Sequence, residues 1–173
     1  MDFDTRLLGI YLNDHLAGSS GGLALARRML RENEGNELGR TLERLVPEIE
    51  ADRGTLRDLM RRAGVPERRY KAAAVRIAEL AGRVKPNGRL VRYSPLSRLT
   101  ELEWLIIGVE GKASMWRSLR EAAAPSLRDV DFDGLIARAG EQQGKLEDRR
   151  HDVAVAAFAV SGDPAKARGR GSG

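Results

Sequence analysis

Residues 64–95 read GVPERRYKAAAVRIAELAGRVKPNGRLVRYSP, and the length of this stretch decides the topology of the chain. It opens on Gly64, a C-terminal helix stop, and on Pro66, which suits a first helical turn. Tyr70, Ala73, Ala74, Ile77 and Leu80 then recur at helical spacing, predicting a short helix over Pro66–Gly82. The loop Arg83–Tyr93 carries the turn signal Pro86-Asn87-Gly88. Ser94 and Pro95 are an N-cap and a first-turn proline, so the third long helix starts there. A connection of about thirty residues can travel back along a bundle and leave the helices it joins parallel, whereas short connections make antiparallel neighbours.

Outward from that stretch the period is helical. Leu38, Leu42, Leu45, Ile49, Asp52, Leu56, Leu59 and Ala63 form one stripe over about Glu37–Ala63, with Pro47 inside it as an expected kink. Leu8, Leu12, His15, Ser19, Leu23, Ala26 and Leu30 form another over about Thr5–Arg31. Its middle, Gly18-Ser19-Ser20-Gly21-Gly22, either breaks the helix or lets another backbone pack close. The stripe keeps phase across it, so a continuous helix is predicted. Leu99, Leu102, Ile106, Val109, Ala113 and Trp116 mark a helix from Pro95 to about Ala124, ended by Pro125. The last helix opens at the N-cap Asp131, with Val130 and Leu135 placed for a hydrophobic staple, and runs to about Val160. Four helices of roughly 27 to 30 residues are each about 40 to 45 Å long. The expected fold is therefore an all-α, ferritin-like four-helix bundle with a short extra helix in the crossover, over residues 1–160, followed by a disordered Gly/Arg-rich tail over residues 161–173. A five-helix bundle with up-down connections is the alternative.

Composition restricts the function classes. The chain has 173 residues, 42% hydrophobic and 32% charged, enough for one core. No apolar run approaches the roughly 20 residues that span a bilayer. The N-terminus lacks the pattern of a secretion signal, so a cytoplasmic protein is expected. The absence of cysteine removes disulfides, thiolate metal sites and Cys nucleophiles. The net charge of +5 is spread along every segment and mixed with acids, the pattern of solvated helix faces rather than of a nucleic-acid surface.

Two stretches carry a resemblance. Tyr11-Leu12-Asn13-Asp14-His15-Leu16-Ala17-Gly18, and the run from Lys85 through Tyr93-Ser94-Pro95-Leu96-Ser97-Arg98-Leu99 to Gly108-Val109-Glu110-Gly111-Lys112, resemble bacterial proteins of the ferritin-like superfamily that have no assigned reaction. The resemblance covers roughly residues 5–160 and implies the fold without implying an activity.

A ferritin-type di-iron site takes one Glu from each of two helices and Glu-x-x-His from each of the other two. The two histidines here do not fit: Leu12 stands three residues before His15 and Asp148 three before His151, and that last pair falls off its helix's stripe. His15, however, is central to the first stripe, Asp52 takes a core slot, Glu103 and Glu110 border the third, and Arg150 lies within the fourth beside Glu147. Buried charges must pair, so these six are predicted to meet as a buried polar cluster, with Arg150 supplying positive charge. The alternative is an altered metal site for iron or manganese built from His15, Asp52, Glu110 and Glu147, but a fixed cation would repel metal and one imidazole is thin ligation. No phosphate loop, nucleophile elbow or catalytic triad is present, so no catalytic residue is assigned. Trp104, Ile107, Met115, Val155 and Phe158 fall off the main stripes and either pack under the crossover helix, the preferred reading, or form a partner surface. The expected function is a non-catalytic bundle acting by protein–protein contact or as a homodimer. A metal-binding or redox protein is the alternative, and nucleic-acid binding through the Arg-rich surface and tail is a third.

Overall fold

The computed structural model describes residues 4–68, 93–122 and 125–159. Four long helices carry them: α1 (Thr5–Glu32), α2 (Glu37–Arg62), α3 (Pro95–Ala122) and α4 (Phe132–Phe158), with a single 3-10 turn at Pro125–Leu127 before α4. Among the described residues every regular element is helical. Of the crossover helix expected from Pro66, only residues 66–68 are described, and they are not helical; its remainder and the tail lie outside the described residues.

Each helix start is capped by a side chain that accepts from orphan backbone N–H groups. Asp4 accepts from Arg6 and Leu7 (2.9 and 3.0 Å), Asn36 from Gly39 (3.0 Å), Ser94 from Ser97 (3.0 Å) and Asp131 from Gly134 (2.9 Å). α2 closes on a Schellman arrangement: Val65 N donates to Met60 O (2.8 Å) and Gly64 N to Arg61 O (3.2 Å), with Gly64 at φ +67°. α1 runs unbroken through Gly18–Gly22, and α2 through Pro47. A Cβ on Gly18 or Gly22 would meet nothing within 4 Å, so these glycines do not serve a close helix approach.

Helix directions follow from which residues meet. Late α1 meets mid α2 (Arg27–Glu50, 2.8 Å). Early α1 meets the chain beyond α2, where Arg68 N donates to Asn13 Oδ1 at 2.7 Å, so α1 and α2 are antiparallel. Arg120–Asp133 (2.5 Å) and Lys112–Gln142 likewise set α3 antiparallel to α4. α2 and α3 run in the same direction. Leu38–Ile49 share an apolar cluster with Leu99–Ala113, and Leu56–Met60 share the next cluster with Met115–Leu119. The long connection has therefore returned the chain to the end where α2 began.

The core has two apolar halves. One is built on Leu23, Ala26, Leu42, Leu45, Leu102 and Leu146. The other holds Leu12, Leu56, Met60, Trp116, Leu127 and Phe132. On α1 the boundary falls between Leu16 and Leu23, on α2 between Ile49 and Leu56, and on α3 between Ala113 and Met115. This waist positions the candidate site.

Two glycines should respond oppositely to alanine. Gly54 is exposed in mid-helix with open space at its Cβ, so Gly54→Ala should raise stability by about 1 kcal/mol. Gly64 holds a left-handed φ that a Cβ strains, so Gly64→Ala should lower it by about 1 kcal/mol. Urea denaturation measures both, and shifts in the same direction would contradict these helix-end assignments.

Candidate functional site

Asp52 sits on the apolar stripe of α2 and is 3% exposed. A carboxylate so placed must be neutralised locally, because desolvation of an unpaired charge costs several kcal/mol. Three side chains do this. Lys112 Nζ (α3) donates to Asp52 Oδ2 at 2.5 Å, Gln142 Nε2 (α4) to the same oxygen at 3.1 Å, and the Arg138 guanidinium (α4) to Oδ1. Lys112 also donates to Gln142 Oε1, so both ends of that fully buried amide are used and its orientation is determined. Burial pulls the Lys112 ammonium below its usual range, and Asp52 opposes the shift. One carboxylate faces two cations, which leaves the centre with a surplus of one positive charge.

Against this centre lies a cleft of ≈ 320 Å³ among α1, α2 and α3. Gly18 and Gly22 form its α1 wall, and Gly108 and Gly111 its α3 wall. A Cβ at any of the four would meet nothing within 4 Å, so no neighbouring side chain packs against these positions. Ile49, Leu56, Leu105, Val109, Met115 and Trp116 supply apolar lining, and Asp14, His15, Asp52, Arg53 and Lys112 the ionisable groups. Trp116 is fully buried, and its Nε1–H has no acceptor among the described residues. Arg53 donates through Nε to Ser20 Oγ (3.2 Å).

The residues expected to converge are placed as follows. Asp52 is at the centre. His15 is half-buried on the cleft wall, edge-on to Tyr11 with ring centroids 4.6 Å apart, and burial lowers its pKa, with Asp14 opposing. Glu110 pairs with Arg117 of its own helix at 2.8 Å, half-exposed. Arg150 and Glu147 pair with each other at 2.5 Å, also half-exposed, and Glu103 is exposed. The cation on Asp52 is therefore not Arg150. Eight residues of α4 separate Arg150 from Gln142, about 12 Å of helix rise, and an i,i+3 neighbour satisfies Arg150 where it stands. Among the described residues no three of His, Asp and Glu converge as metal ligands. His15 and Asp52 line one cleft, whereas Glu110 and Glu147 pair elsewhere with Arg117 and Arg150.

Lys112, Arg138 and Gln142 were missed by the sequence reading. Gln142 had a signal, since it continues the stripe through Ala139 to Leu146. Lys112 and Arg138 flank their stripes and reach inward along flexible stems.

A second buried carboxylate, Glu101, anchors the far end of the bundle. The Arg28 guanidinium donates to it, as does the Tyr93 hydroxyl (3.3 Å), and Asn33 Nδ2 in turn donates to Tyr93 at 3.2 Å. Burial raises the pKa of Glu101, with Arg28 opposing. Burial also pushes the Tyr93 phenol up to about 12.

Of the five off-stripe apolar residues, Met115 is 1% exposed and packs in the core, while Trp104, Ile107, Val155 and Phe158 are exposed. No helix among the described residues is long and apolar enough to cross a membrane. Comparison with protein-family models, curated proteins and solved structures returned no match.

Two outcomes test this electrostatic arrangement. Lys112→Met removes a direct partner of buried Asp52 and should cost about 3 kcal/mol. The double variant Asp52→Leu/Lys112→Met should recover most of that loss, and Arg150→Ala should leave the urea midpoint unchanged. A large loss for Arg150→Ala would put the cation assignment in error. The second outcome is alkaline. The neutral Tyr93 phenol is favoured in the folded state, so its contribution is complete below pH 10.0 and is lost as pH rises through about 12. Denaturation of Tyr93→Phe from pH 9 upward should show a shallower alkaline decline than the parent, and parallel curves would refute it.

Proposed function

We propose that this chain is a ferritin-like helical bundle that performs no chemistry of its own and acts by contact with another protein surface, the simplest being a second copy of itself. The observation that carries the reading is the outward face of α3. Leu96, Trp104 and Ile107 are 55%, 46% and 58% exposed. At 100° per residue they fall within about 80° of one another on the helix. Phe158 ends α4 near the start of α3, since the two helices are antiparallel, and it is 71% exposed. Large apolar side chains gathered on one helix face are the usual core of an interface, Trp above all, whereas isolated ones are ordinary surface. A two-fold axis across such a face buries the same residues on both copies.

The ferritin-like assignment draws support from the parallel course of α2 and α3 on either side of a long connection. The non-catalytic assignment draws support from the centre itself. In a di-metal bundle, inward carboxylates neutralise cations. Here Asp52 is already met by Lys112 and Arg138, and Glu110 and Glu147 are half-exposed and pair with arginines of their own helices. That makes iron or manganese binding the weaker alternative.

Sedimentation velocity over a concentration series tests the reading. The parent should show a monomer–dimer equilibrium, and Trp104→Glu/Ile107→Lys should sediment as monomer at every concentration with its helical circular dichroism intact. A parent that stays monomeric throughout, or stoichiometric iron or manganese in the purified protein, would overturn it.

A further inference from the structure

The cleft beside the ionic centre is a second feature, independent of the α3 surface. We propose that it binds a small organic monoanion with an apolar body, an aromatic or short-chain carboxylic acid, whose acid group is held by the Lys112 side of the cleft. Four observations lead there.

The space is built. Gly18, Gly22, Gly108 and Gly111 come from two helices and line the ≈ 320 Å³ cleft, and a Cβ on any of them would meet nothing within 4 Å. A helix-interior glycine costs about 1 kcal/mol relative to alanine. Four of them around one void keep a room that alanine would begin to fill. The volume is that of a small-molecule site, at the low end of the range.

Several of its donors remain unspent. Lys112 carries three N–H bonds, of which Asp52 and Gln142 take two among the described residues. The indole N–H of Trp116 is buried without an acceptor, a condition rare for a buried indole. Arg53 engages Ser20 through Nε, leaving its terminal nitrogens without an acceptor among the described residues. Donors without acceptors favour a ligand that brings oxygens.

The charge has the matching sign. Asp14, Asp52, Arg53 and Lys112 line the cleft, Lys112 bonded to Asp52, and Arg138 adds a cation on Asp52 from α4, outside the lining. Burial lowers the pKa of His15, with Asp14 opposing, which favours its neutral form. With Asp52 already met by Lys112 and Arg138, the Arg53 guanidinium and the third Lys112 N–H are the groups that an incoming carboxylate can engage.

The rest of the wall is apolar, with Leu56, Leu105, Val109 and Met115 around the Trp116 ring. An acid with a hydrocarbon or aromatic body fits this better than a phosphate or a sugar acid, whose every face demands hydrogen bonds.

The probes are benzoate and hexanoate, with benzyl alcohol and benzylamine as the neutral and cationic counterparts of benzoate. The chain has two tryptophans, so in Trp104→Phe the emission reports Trp116 alone. At least one of the two acids should change that emission saturably, and the tighter of the two tells whether the body is aromatic or aliphatic. Benzyl alcohol and benzylamine should bind about tenfold more weakly or worse than benzoate. In the same background Gly108→Leu and Gly22→Leu occupy the cleft with a side chain, and each should raise the dissociation constant about tenfold or more while circular dichroism stays helical. Arg53→Gln, which leaves Asp52 and its partners in place, should weaken the acids and spare benzyl alcohol. No saturable response to either acid overturns the proposal, as does equal binding of the acid, alcohol and amine. Undiminished binding by a folded Gly108→Leu and Gly22→Leu pair would also overturn it.

Discussion

A carboxylate at the waist of a helical bundle has no water to turn to, and the neutralisation of Asp52 is the constraint around which the centre of this molecule is arranged. Its two oxygens are reached from α3 by Lys112 and from α4 by Arg138 and Gln142. The carboxylate therefore ties three helices at one height. Slide α3 by a turn and the ammonium leaves Asp52. Rotate α4 and the amide of Gln142 loses both of its partners at once. Apolar packing tolerates such shifts far better than directional, charge-assisted hydrogen bonds do. The contribution of this centre is register as much as free energy.

The waist also explains why the core falls into two halves. Leu16, Ile49 and Ala113 end their runs where Asp52, Lys112 and the glycines of α1 begin. Above and below, leucines and Trp116 fill the space between helices. At the waist the space is divided between an ionic centre and a cleft that no side chain fills. Gly18 and Gly22 do not draw helices together, since nothing stands where their Cβ atoms would be. Their effect is to hold matter away from the ionic centre, which places Lys112 between a saturated carboxylate and an open apolar wall.

At the far end of the bundle a different solution appears. Glu101 is nearly buried and is met by Arg28 of α1, by the Tyr93 hydroxyl and, through Tyr93, by Asn33 at the end of α1. This chain of polar groups joins the start of α3 to the end of α1. It complements the opposite end, where the Asn13 side chain clasps the backbone of Pro66 and Arg68 (3.2 and 2.7 Å). Both clasps flank the long connection, so its two ends are pinned to opposite ends of α1.

Periodicity and local residue type determined the four long helices, the caps at Ser94 and Asp131, the continuity of α1 across its glycines, and the inward phase of Asp52, while the caps at Asp4 and Asn36 came only with the structure. These are properties of one helix at a time. The angle of a residue about its own axis follows from 3.6 residues per turn, and a cap is read from its immediate neighbours. Which cation would meet Asp52 was a question of another kind. Arg150 has a fitting phase but lies about two turns too far along α4. Arg138 and Lys112 have less favourable phases and the correct height. Height is set by how antiparallel helices slide against each other and by where each connection releases the chain, and no single-helix pattern encodes it. The cleft is a consequence of the same kind: glycines on α1 and α3 become one space only once packing brings them to the same level.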